Sequence, residues 1–488
     1  MRLSQPLTGR SLPRSTTILT DRSLVLLDLP DELLEAILSE LDHHSIFACQ
    51  TTCHRLKTVV DSSMHARYII ELAATGMCEG PAAQYLDTPE RVRRFRAYEA
   101  ARAGPIVLAE LPFVPALVGN LWRMRMSVTT LVTDVLEVDG HTRVYVQQMP
   151  SAVRGIEERH WNLRLPKFTY VAAVDASQDV LVVSSPPKAL SILSLSTGEF
   201  HPSAAVAEIP LSGVSMVAYA EVFVWNWRTG GHEIELRPPK TSARFKPQSK
   251  FTFLNSTHIA ILLDQPDAIL VYSFIRTEKA PPPPTVFMLP KSAPGTLISL
   301  RPCNDVGGTR HAGLFHPAPA ARMFSLITKE RALERLELAV PATTLLVHVP
   351  SAKAVPWALW GPKGCVLVRG CHVGMNAPLG LGASAMRLVM QGNNGVDGEP
   401  TYTLADHCRA RVSHGTGGVL VEPVEPPKSV GWARATRPYA VKQFSMPWGS
   451  EGIHRRHAIV VCEDVLIVLE EFQDVNSAAA GKAWACTV

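Results

Sequence analysis

Near the N-terminus the apolar residues recur at helical spacing. Leu33, Leu34, Ile37, Leu38 and Leu41 return every three or four positions, which predicts an amphipathic helix over Leu29–Leu41. Pro30 suits a first helical position, where its missing N–H costs nothing, and Asp31 and Glu32 place negative charge at the positive end of the helix dipole. The pattern breaks at Asp42-His43-His44-Ser45. Ser45 is the candidate N-cap of a second helix whose apolar face carries Ile46, Cys49, Cys53, Leu56 and Val60. Two such helices bury little by themselves, so a third element or a partner must cover them. A further helix is expected between Thr88 and Arg102. Its crowded Arg91, Arg93, Arg94 and Arg96 form either a basic surface or a contact for an acidic partner.

Beyond about Val128 the texture changes to short alternating or fully apolar runs punctuated by turn residues. Val171–Val174 and Val180–Val183 flank Asp175–Asp179 as a hairpin would, and Ile459–Cys462 and Val465–Leu469 flank Glu463-Asp464 in the same way. No helical pattern of comparable strength alternates with these strands, which argues against a parallel α/β sheet. A worn repeat is visible. Leu193-Ser194-Leu195-Ser196-Thr197-Gly198 matches Trp225-Asn226-Trp227-Arg228-Thr229-Gly230, and Tyr272-Ser273-Phe274 before Thr277-Glu278 is a weaker third copy. The intervals between the threonines, 32 and 48 residues, bracket the roughly 40–45 residues of a four-stranded propeller blade. Pro281–Pro284 reads as an extended excursion, and Gly380–Pro400 as a loop insertion.

Composition narrows the class. With 488 residues the chain is long enough for more than one domain, and 46% apolar with 19% charged residues is the balance of a soluble globular protein. No run approaches the roughly 18 consecutive apolar residues of a membrane span, so no membrane is expected. The net charge of +4 is too small to suggest nucleic acid. Nine scattered cysteines without a CxxC pair read as reduced thiols, which places the protein in the cytoplasm or nucleus; the sequon at Asn255 has no apolar signal segment before it. Residues 1–23, with Arg2, Arg10 and Arg14 among Ser and Thr, overlap in composition with a mitochondrial transit peptide but read more simply as a disordered leader.

Chemistry-bearing motifs are missing. There is no phosphate-binding GxxxxGK[ST], no GxGxxG after a strand and no GxSxG elbow. His454-Arg455-Arg456-His457 with Cys462, and Cys371-His372 with His407-Cys408, lack the spacing of a structural zinc site. No metal, cofactor or catalytic residue is expected, and the chain is read as a non-enzyme.

The ordered string Leu29-Pro30-Asp31-Glu32-Leu33-Leu34, Ile37-Leu38, Leu41-Asp42, Ser45, Cys49, Cys53, Arg55-Leu56 and Val59 resembles the F-box, with His54 and Leu56 departing from the usual Lys/Arg and Trp. The remainder, roughly Val144 to Leu469, is similar to the C-terminal region of fungal, mostly basidiomycete, F-box proteins with degenerate propeller-like repeats. Phrases such as Trp225–Gly230 and Pro356-Trp357-Ala358-Leu359-Trp360-Gly361-Pro362 carry that likeness.

These resemblances imply an α+β multidomain chain: a disordered leader (1–23), an F-box (24–65), a helical linker region (66–127), a mostly β, WD-like β-propeller domain (128–475) and a tail (476–488). They further imply a Skp-type adaptor and a cullin as partners, contacted through Leu29, Pro30, Leu33, Ile37, Ile46, Cys49, Cys53 and Leu56. The β domain would hold an unidentified protein target. Arg228, beside a Thr-Gly turn, is the candidate contact there, whereas Trp225, Trp227, Trp357 and Trp360 are divided between contact and blade core. The implied role is a substrate-recruiting subunit of an SCF-type ubiquitin ligase. An F-box scaffold without ligase role and a propeller enzyme with an appended adaptor module are the alternatives.

Overall fold

The computed structural model describes residues 26–104 continuously and, between 106 and 487, the strands, helices and turns named below with some of their connections. Residues 1–25 and stretches including 111–123, 211–221, 237–250, 302–312, 371–378, 407–418, 422–438, 446–455 and 472–480 lie outside the described residues. The leader and the Cys371-His372, His407-Cys408, His454 and Cys462 positions therefore fall there. The chain divides into two compact units, Met1–Ile70 and Glu71–Val488.

The first unit is helical. A single 3-10 turn, Leu26–Asp28, precedes α1 (Asp31–Ser39), α2 (His43–Thr52), α3 (His54–Ser62) and the start of α4 (Met64–Ala74). Pro30 is the residue before α1 and not its first, and its carbonyl accepts the N–H groups of Leu33 and Leu34. The cap of α2 is Asp42 and not Ser45: its carboxylate accepts the Ser45 N–H at 2.8 Å, so the helix begins earlier than expected. The expected single second helix is two. Cys53 adopts an extended conformation (φ −154°, ψ 162°) between α2 and α3. The Thr51 and Thr52 hydroxyls turn back onto the Ala48 carbonyl at 2.9 and 2.8 Å, a local alternative to continuing the helix. Leu34, Leu38, Ile46, Leu56, Val59, Val60 and Ala66 form the core, with Leu29, Leu41, Cys49 and Cys53 partly buried against it.

The second unit is mostly β. After Ala74 come a short strand, Met77–Glu79, and α5 (Thr88–Ala103), whose cap Asp87 accepts the Glu90 N–H at 3.0 Å. Small antiparallel sheets follow in chain order. The first holds Met124–Ser127, Thr130–Leu136, His141–Gln148 and Arg159–Lys167; the second holds Tyr170–Asp175, Val180–Ser185, Ala189–Ser194 and Glu208–Pro210. Then come a hairpin (Val222–Asn226, Gly231–Leu236), a sheet from Phe251–Asn255 to Thr285–Met288, another from Leu297–Arg301 to Val366–Gly370, and one from Arg387–Asn394 to Tyr439–Ser445. In the last sheet Arg456–Val461, Val465–Glu471 and Gly481–Thr487 are neighbours. Ala109–Glu110 pairs antiparallel with Gly481–Thr487, and Leu379–Leu381 pairs parallel with Arg456–Val461.

The hairpins expected around Asp175–Asp179 and Glu463-Asp464 are formed, with Val180 opposite Asp175 and Val461 opposite Leu466. Both Thr-Gly turns place their glycine in the left-handed region, Gly198 at φ 76° and Gly230 at φ 68°, where a side chain would be strained. Thr277-Glu278, the third copy's end, and Pro281–Pro282 lie outside the described residues.

Three expectations need correction. The segment read as a tail contributes the inner strand Gly481–Thr487. The stretch read as a helical linker supplies three strands: Met77–Glu79 pairs with Phe315–Pro317, Ala109–Glu110 joins the last sheet, and Met124–Ser127 opens the first sheet. The segment Gly380–Pro400, read as a loop insertion, contains the strand Arg387–Asn394 paired with Pro400–Asp406. For Met77–Glu79 and Ala109–Glu110 backbone pairing with a distant strand decides the outcome, and the local sequence does not encode that partner.

Packing follows the sheet order. Val132, Val144, Val146, Leu163 and Leu165 of the first sheet join Val171, Leu181, Val183 and Leu193 of the second in one cluster. A larger one runs from Leu254 to Leu367 and includes Phe287 and Trp360.

Candidate functional site

In α1 the apolar positions split into two stripes. Leu34 and Leu38 are 1% and 3% exposed and face the core, while Leu33 and Ile37, one turn apart, are 52% and 41% exposed. Leu26, Leu27 and Phe47 are exposed as well, so five large apolar side chains meet solvent within residues 26–47. The core beneath them is complete without their help. Large apolar side chains left outside a closed core, and close together in a short segment, mark a surface that another molecule covers.

Arg55 fixes the shape of this segment. From the first turn of α3 its guanidinium donates to the Leu27 carbonyl, to the Leu29 carbonyl at 2.7 Å and to Asp31 Oδ1 at 3.0 Å. It thereby ties the turn that carries Leu26 and Leu27 to the start of α1. On α2 and α3, Gln50 Nε2 donates to Asp61 at 2.7 Å, and Lys57 pairs with the same carboxylate. These donors hold the Asp61 carboxyl below its ordinary range, Lys57 contributing most. The Ser45 N–H does the same for Asp42 at the α2 cap.

Comparison with protein families settles what this segment is. Residues 26–67 match the F-box domain. An F-box implies binding of a Skp-type adaptor. The matched span closes at Arg67, within α4, and contains the whole exposed cluster. No curated protein matches the chain.

The expected contact residues distribute unevenly over the F-box. Pro30, Leu33 and Ile37 are exposed, and Leu29, Cys49 and Cys53 are half-buried. Ile46 and Leu56, at 0% and 6% exposure, are the members of that set that form the domain's own core, as some were expected to. The exposed Leu26, Leu27 and Phe47 were not among the expected contact residues. Phe47 directly follows Ile46, off the predicted apolar face; the signal was two adjacent large hydrophobes, only one of which a helix can turn inward.

Elsewhere the structure disperses the other candidates. Arg228 stacks over the Trp227 ring at 5.1 Å and donates to Gln178 Oε1 at 3.1 Å, so its exposed guanidinium is already engaged. Trp360 is core and donates to the Met288 carbonyl at 3.3 Å. The arginines of α5 meet acids of their own unit: Arg91 with Glu79, Arg93 and Arg94 with Glu90, and Arg96 with Glu71. The two guanidiniums on Glu90 push its carboxyl down to about 2.

One pairing was invisible in the sequence. Cys78 Sγ lies 3.1 Å from His316 Nδ1 across the Met77–Glu79 and Phe315–Pro317 pair. This resembles a nucleophile and its base, but burial pushes the thiol up to about 11 and Glu79 adds to the effect, so the sulfur stays protonated. Among the described residues no group of His, Cys, Asp and Glu is placed to hold a metal, and no helix is long and apolar enough to cross a membrane.

Proposed function

We propose that this chain is the substrate-recruiting subunit of an SCF-type cullin ubiquitin ligase. The observation that carries the reading is the F-box whose core is closed while Leu26, Leu27, Leu33, Ile37 and Phe47 stay exposed. Covering half-exposed Leu and Ile side chains contributes about 1 kcal/mol each, so an adaptor seated there gains several kcal/mol from apolar burial alone. Pro30, Leu29, Cys49 and Cys53 border that contact. The chain itself performs no chemistry in this reading. It holds a target near a charged conjugating enzyme and raises the local concentration of the target's lysines.

Target selection falls to the residues after the F-box, because the exposed face of the F-box is occupied by the adaptor. We read the successive small sheets as blades of a WD-like β-propeller. Support comes from the four-stranded meanders in chain order and from the pairing of Ala109–Glu110 with Gly481–Thr487, which joins an early strand to a late one as ring closure requires. A cytoplasmic or nuclear location accompanies this role.

The test is capture from cells of the intact chain and of a chain lacking residues 26–67. The Skp-type adaptor and a cullin should accompany the intact chain and be absent from the deletion. Adaptor without cullin would replace this reading with the scaffold one.

A further inference from the structure

Between the first and second sheets of the second unit lies a cleft of about 520 Å³. Its floor is apolar: Val183 and Leu193 are nearly fully buried, and Pro166 closes the side formed by the first sheet. Its mouth is different. Glu199, Phe200 and Glu208 line it and are exposed, with Phe200 at 55%. Among the described residues neither carboxylate pairs with a cation; Glu208 accepts only a long hydrogen bond, 3.5 Å from Ser191 Oγ. Among the described residues the Glu208–Pro210 strand stands at the edge of the second sheet and pairs on one side, with Ala189–Ser194.

We propose that this cleft is a docking site for an extended peptide segment of the target carrying Lys or Arg beside an aliphatic residue. Three features select that occupant. Two carboxylates at the mouth, neither paired with a cation among the described residues, attract a cationic side chain and repel an acidic one. The Val183 and Leu193 floor accepts an aliphatic neighbour, and the ring of Phe200 lies where a guanidinium or ammonium can stack. The edge strand offers backbone groups to an extended chain, so pairing supplies affinity while the cleft supplies selectivity. The site is set within the side of the sheet pair. It rests on the receptor reading and gives that reading a target chemistry.

An array of short random peptides, probed with the purified full-length chain, tests the proposal. Selected sequences should be enriched in Lys or Arg next to Leu, Ile or Val. Glu199→Gln with Glu208→Gln should weaken the selected peptides on the order of tenfold, the sum of two exposed ion pairs. Phe200→Ala should weaken them further. Selection of acidic or purely apolar peptides, no selection, or identical binding by the double variant overturns the site. Capture of the Skp-type adaptor by the same variant is read in parallel. Its retention shows that the F-box is folded, and an unchanged circular dichroism melt shows the same of the β region. Absence of adaptor capture by the wild-type chain would instead strike the receptor reading, so the two failures are distinguishable.

Discussion

Replacing Leu33 and Ile37 together with aspartate separates docking from folding. At 52% and 41% exposure these side chains contribute little to the core, so two carboxylates placed there remain hydrated in the free chain. Under an apolar partner surface each unpaired carboxylate costs several kcal/mol, and the lost apolar burial adds about 1 kcal/mol per position. Even the low end of that sum, about 4 kcal/mol, weakens adaptor binding by roughly a thousandfold. The contrast is Leu34→Ala, one residue away but 1% exposed, which should cost about 2–5 kcal/mol of folding stability and affect binding only through unfolding. Calorimetric titration with a purified Skp-type adaptor measures the affinity, and thermal unfolding followed by circular dichroism measures the fold. Unchanged affinity in the double aspartate variant would refute the assignment of this face. So would a thermal midpoint that falls as far as that of Leu34→Ala.

Other outcomes follow from single contacts. Arg55→Ala releases the turn bearing Leu26 and Leu27 from α1 and should weaken adaptor binding about fivefold with little loss of helix, checked by the same titration. Glu90 ionises at about 2 in the folded chain against an ordinary 4.5, so its support for α5 is present above pH 4.5 and is lost as pH falls towards 2. Glu90→Gln should therefore lower the thermal midpoint at pH 7 and make no difference near pH 2. Cys78, held at about 11 against an ordinary 9.0, should react with an alkylating reagent at pH 8 about a hundredfold more slowly in the folded chain than after denaturation, read by peptide mass spectrometry. The same shift means that its contribution to stability holds below pH 9 and fades as pH rises towards 11.

The helices were legible where one period dominated. The helix expected between Thr88 and Arg102 is found at Thr88–Ala103, where Asp87 caps it and Pro89 sits in its first turn. The break at Cys53 was hidden, since Ile46, Cys49, Leu56 and Val60 keep a helical rhythm across it. Leu33 and Ile37 were rightly picked as apolar. Yet spacing could not tell them from Leu34 and Leu38, because a helix that is apolar on two sides shows the same periodicity whether a side meets core or partner. Ala109–Glu110 is too short to carry any period and is defined by its pairing with Gly481–Thr487, which itself follows the bland run Ser477–Ala480 and is held along its length by Val465–Glu471. The cleft by Phe200 needed two sheets side by side, which no local pattern encodes.

The central claim is that the F-box links whatever the β region binds to ubiquitin transfer. The direct measurement is quantitative mass spectrometry of ubiquitin-modified peptides under proteasome inhibition, in cells expressing either the intact chain or the chain lacking residues 26–67. Proteins captured by both chains should be ubiquitin-modified only with the intact one. Equal modification with either chain, or capture that disappears together with residues 26–67, would contradict the account.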